Sequence, residues 1–72
     1  MKPLLVSVSA FTVNNLKTGK NVRRARMAAR IGLRELARAI GVDPSTLLRL
    51  EGGFGRWTPE LVAKVEKEVY GE

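Results

Sequence analysis

The chain has 72 residues, enough for one small domain, and contains neither cysteine nor histidine. Disulfides and the usual zinc and iron spacings are therefore excluded, and stability must come from helix packing or a partner subunit. Net charge is +6, from 13 Lys+Arg against 7 Asp+Glu. Residues 17–56 hold ten basic and three acidic side chains, whereas 57–72 hold two basic and four acidic. Eight of the bases are Arg, whose planar fork suits phosphates and guanine edges, and such a field draws polyanions. The competing reading is a merely solvated, Arg-rich surface. No apolar run approaches the ~20 residues of a membrane helix. The stretch from Leu4 to Val8 is broken by serine and lacks the apolar core of a signal peptide, so the expected compartment is the cytoplasm.

Residues 4–13, LLVSVSAFTV, alternate with period two. Leu4, Val6, Val8 and Ala10 would share one face, with Leu5, Ser7, Ser9 and Phe11 on the other. The pattern predicts a single strand over about 4–9. A lone strand leaves its backbone ladder unpaired. Pairing with the same strand of a second copy would satisfy it, making Leu4, Val6 and Val8 dimerisation residues. The alternatives are a strand laid along its own helices or a partly disordered arm. Asn14 to Lys20 reads as a polar connector because of its composition and Gly19, with a turn at Asn14-Asn15. The expected division is thus an arm over 1–16 and a helical domain over 17–72.

A first helix is expected to follow, capped by Thr18 or Asn21, with Val22, Ala25, Met27 and Ala29 as packing positions. Arg26 falls beside this apolar stripe and needs a partner. The second helix is expected over Leu33–Ile40, with Leu36, Ala37 and Ile40 on its inner face and Gly41 at its left-handed end. The third runs over about 44–51. Asp43 is its N-cap, Pro44 its first residue, Val42 and Leu47 its staple pair, and Leu47 and Leu50 its buried face. Gly52-Gly53 stops it. The fourth starts with Thr58 as N-cap, Pro59 and Glu60, uses Trp57 and Val62 as staple, and ends near Tyr70 before Gly71.

Ala37, Gly41, the apolar residue 42, Leu47 and Leu50 occur in the register of a helix-turn-helix: a small residue where two helices cross, a glycine at the sharp turn, and leucines closing the wedge. On the stretches NVRRARMAARIGLRELARAIGV and DPSTLLRLEGG, followed by a Thr-Pro-capped helix, the chain resembles the lambda-repressor/Cro-like helix-turn-helix family from about Val22 to Val69. The resemblance implies a mainly α, four-helix domain, to which the period-two stretch adds one N-terminal β-strand expected to pair across a dimer. It also implies that the third helix enters the major groove of double-stranded DNA, that a homodimer reads two half-sites, and that the protein is commonly a transcriptional repressor of phage or bacterial type.

Laid over this sequence, the family pattern assigns base contacts to Pro44, Ser45, Thr46, Leu48 and Arg49. Arg49 suits a bidentate contact to guanine and Leu48 a thymine methyl. Arg26 and Glu51 match a structural ion pair. Phosphate contacts fall to Lys20, Arg23, Arg34 and Arg56, with the backbone at Gly53 to Gly55. Trp57 belongs to the core by its staple position, and Phe54 in its glycine loop is open to sugar contact, packing or dimer contact. Two departures stand out. Gly32 and Leu33 replace the polar cap and Gln that clamp phosphate at the start of helix 2, leaving backbone N–H groups and Arg34. The chain ends at Glu72, short of the fifth helix that forms many dimer interfaces, a role the N-terminal strand would assume.

A recombination accessory factor of phage, or an antitoxin, fits the same features. A third reading is a protein-interaction module whose strand adds to a partner's sheet. An enzyme is not expected. Ser45 and Thr46 have no neighbouring base, no carboxylate pair converges along the chain, and GGFG lacks the Lys of a phosphate-binding loop. No metal, cofactor or small-molecule ligand is implied.

Overall fold

The computed structural model describes residues 3–10 and 12–71. Two short strands, β1 (Ser7–Ser9) and β2 (Thr12–Val13), precede four helices: α1 (Asn15–Ala28), α2 (Leu33–Ile40), α3 (Pro44–Glu51) and α4 (Pro59–Tyr70). The last three helices have the bounds their capping residues predict. Thr58 accepts the Leu61 N–H through its hydroxyl at 3.1 Å, and Gly41 and Gly71 take left-handed conformations at the ends of α2 and α4. Asp43 occupies the N-cap position of α3, but its side chain makes no capping hydrogen bond.

The N-terminal region departs from expectation. The single strand is a hairpin: β1 pairs antiparallel with β2, Ser7 opposite Val13 and Ser9 opposite Thr12, with an irregularity between. No Gly, Pro, Asn or Asp interrupts residues 4–13, so the period-two pattern runs unbroken past the point of reversal. Phe11 lies outside the described residues. Before β1, side chains of the helices replace a ladder. The Leu4 N–H donates to the Glu66 carboxylate at 2.9 Å, Asn21 Nδ2 donates to the Leu4 carbonyl at 3.2 Å, and the Val6 N–H donates to Thr18 Oγ1 at 3.0 Å. The arm is therefore laid along its own helices. Leu4, expected at a subunit interface, is buried in the core of its own chain, Val6 is half-buried, and Val8 is exposed.

Residues 15–20 are not a connector but the first turns of α1, so the expected boundary at residue 17 falls inside a helix. Asn14, rather than Thr18 or Asn21, is the N-cap and accepts the Lys17 N–H at 3.0 Å. Gly19 lies inside this helix, and α3 comes so near that a side chain would not fit: a Cβ there would lie 2.8 Å from the Glu51 carbonyl oxygen and closer still to that of Leu50. Val22 is fully buried and Ala25 packs on the core, but Met27 is exposed because the helical period turns it away from Val22, and Ala29 is exposed just past the end of α1 at Ala28.

α1 packs across α3 and α4, and α2 packs on the same two helices. Their common core includes Leu36, Ile40, Leu47, Val62, Val65 and Trp57, whose indole N–H donates to the Leu50 carbonyl at 2.9 Å. Among the described residues no helix is long and apolar enough to cross a membrane.

Candidate nucleic-acid interface

The geometry of α3 follows from its two ends. Gly41, at φ +81°, turns the chain after α2, and the Val42 N–H returns to the Ala37 carbonyl at 2.9 Å. Pro44 then opens α3, whose Leu47, Leu50 and Glu51 are buried. With one side committed to the core at the helical period, Pro44, Ser45, Thr46, Leu48 and Arg49 are all exposed. Leu48, at 61 % exposure, is a large apolar side chain between the polar Ser45 and Thr46 and the cationic Arg49.

The far end of α3 is held by Arg26 and Glu51. Arg26 Nε lies 2.8 Å from Glu51 Oε2 and Nη2 lies 3.1 Å from Oε1, a two-point contact, while Nη1 donates to the Ile31 carbonyl at 3.0 Å. The side chains are 14 % and 3 % exposed. One guanidinium thus joins α1, the segment before α2 and the last residue of α3. This explains a cation beside an apolar stripe and gives the pair a structural role.

The expected phosphate contacts form separate groups. Arg56 shares a cleft with Thr46, Arg49 and Phe54. Lys20 and Arg23 line a shallow depression on α1 with Arg24 and Met27. Arg34 is exposed in the first turn of α2, where Gly32 at the N-cap position makes no side-chain bond. Gly53 takes the expected place at the stop of α3. Its N–H donates to the Leu50 carbonyl at 3.2 Å and the Phe54 N–H to the Arg49 carbonyl at 2.9 Å, closing the end of α3. With φ +86°, Gly53 is a helix stop whose N–H is already engaged.

Phe54 is the residue that the sequence left open, and the structure puts it fully at the surface, 82 % exposed. Its surface position was foreshadowed only by the surrounding glycines, since a ring in such a loop has no periodic neighbours to bury it. Comparison with protein-family models, curated proteins and solved structures finds no match for this chain.

Proposed function

We propose that this chain is a sequence-specific DNA-binding protein of the lambda-repressor/Cro-like helix-turn-helix type, acting in the cytoplasm as a dimeric transcriptional repressor. The observation that carries the reading is the outer face of α3. Ser45, Thr46, Leu48 and Arg49 are all exposed on a helix pinned at both ends, within the part of the chain holding ten basic and three acidic residues. Arg49 reads a base edge, Leu48 offers an apolar contact to a thymine methyl, and Lys20, Arg23, Arg34 and Arg56 neutralise phosphates. With Leu4 committed to its own core, the dimer contact falls to the hairpin, where Val8 is 67 % exposed.

Binding to a random duplex at two salt concentrations tests the class. Four phosphate contacts per chain predict a slope of log affinity against log salt of about −3.5 per chain. Absence of binding even at low salt would sink the reading and favour the alternative of a protein-interaction module built on the hairpin. Selection from random duplexes then supplies the site. On it, Arg49→Ala should lower specific affinity by ~1–3 kcal/mol and relax one base position; an equal loss on random DNA would reassign Arg49 to phosphate. Val8→Lys should shift sedimentation towards monomer without lowering the melting temperature, and an unchanged dimer would remove the hairpin from the interface.

A further inference from the structure

Phe54 is 82 % exposed, so folding gains little from burying its ring. Its backbone is nonetheless fixed. The Phe54 N–H is bonded to the Arg49 carbonyl at 2.9 Å, and the preceding Gly53 is held at φ +86°. The ring itself lies over Gly52, where an added Cβ would come within 3.2 Å of it. Beside it opens a cleft of about 350 Å³, large enough for a nucleotide. Val42, Leu50 and Leu61 supply its apolar surface, and Thr46, Arg49 and Arg56 its polar groups. An aromatic face, an apolar floor, a hydroxyl and two guanidinium groups are together the chemistry that holds a nucleotide: stacking for the base, hydrogen bonds for its edge, cationic charge for its phosphate.

We propose that this cleft takes one unstacked nucleotide of DNA. Its base lies on Phe54, its edge meets Thr46 and Arg49, and its phosphate meets Arg56. The inference rests on the DNA-binding reading, because Thr46 and Arg49 belong both to the cleft and to the outer face of α3. The bases of an intact duplex are stacked on one another and enter such a recess only after unstacking and unpairing. DNA carrying an unpaired nucleotide avoids that cost and is the favoured ligand.

The test compares a 20-base-pair duplex with the same duplex carrying a central one-nucleotide bulge of 2-aminopurine, at low salt. The full chain should bind the bulged DNA about tenfold more tightly, with a fall in 2-aminopurine fluorescence as the base stacks. Phe54→Ala should abolish that preference while retaining intact-duplex affinity and thermal melting, and Phe54→Trp should retain the preference. Equal affinity of the wild-type chain for the two DNAs, a preference that survives Phe54→Ala, or an equal loss on both DNAs would overturn the proposal. Failure of the wild-type chain to bind either DNA would instead overturn the DNA-binding reading itself.

Discussion

Gly19 and Glu51 lie on two sides of one helix contact, and their roles are opposite in kind. Gly19 contributes by having no side chain, which lets the backbone carbonyls of Leu50 and Glu51 approach α1. In an exposed helix, Gly→Ala gains up to ~1 kcal/mol of helix propensity. Here the added methyl meets backbone that has little room to give, so Gly19→Ala should lower stability by about 1–3 kcal/mol in urea denaturation. A stabilised variant would show that the helices do not pack this closely. Glu51 contributes charge at 3 % exposure, matched by Arg26. Glu51→Gln leaves that cation without its counter-charge and should cost roughly 3 kcal/mol. Adding Arg26→Met to it should recover part of the loss, since the unpaired cation is then gone; no recovery would mean that the Arg26 bond to the Ile31 carbonyl matters as much as the pair.

The ends of α1, α2 and α3 share one device. In each, an N–H beyond the last turn returns to the helical carbonyl five residues before it: Ile31 to Arg26, Val42 to Ala37, and Phe54 to Arg49. The residue before each of these N–H groups is left-handed: Gly41 at φ +81°, Gly53 at φ +86°, but Arg30 at φ +58°. A side chain in that conformation costs about 1 kcal/mol, partly offset for glycine by its looser unfolded chain. Arg30→Gly should therefore raise the melting temperature by a few degrees; a lowered one would mean that the Arg30 side chain contributes more than its backbone costs. At its other end α1 anchors the arm, through the fully buried Thr18. Thr18→Val preserves shape but removes the acceptor of the Val6 N–H, at a cost of about 1–3 kcal/mol. Amide exchange at Val6 should rise with it, and unchanged exchange there would show that the hydroxyl does not hold the arm.

Across the whole molecule, Trp57 ties α1 to the end of α3 within the shared core. Its backbone N–H donates to Asn15 Oδ1 at 2.7 Å, its indole N–H donates to the Leu50 carbonyl, and its ring is 1 % exposed. The arm also contributes Leu4 to the same core. With no disulfide and only ~3–5 kcal/mol typically available to a domain this small, no element has spare stability of its own. Unfolding should therefore be a single transition, with helical circular dichroism and the fluorescence of the one tryptophan melting together. A fluorescence transition at lower temperature would mean that the arm and α1 separate first.

The sequence by itself determined α2, α3 and α4, because their limits depend on neighbours a few residues away. Gly41 ends one helix, Asp43-Pro44 and Thr58-Pro59 start the next two, and Gly71 ends the last. The exposed face of α3 was legible for the same reason: once Leu47 and Leu50 turn inward, the helical period sends Ser45, Thr46, Leu48 and Arg49 outward. What only the tertiary structure decided depends on partners far along the chain. Leu4 is held by Glu66, sixty-two residues away, and Asn15 by Trp57, forty-two away. Gly19 reads as a loop residue until the end of α3 is brought against it. The cleft beside Phe54 likewise joins α3, the glycine loop and Leu61 of α4, and composition alone cannot report which surfaces a fold brings side by side.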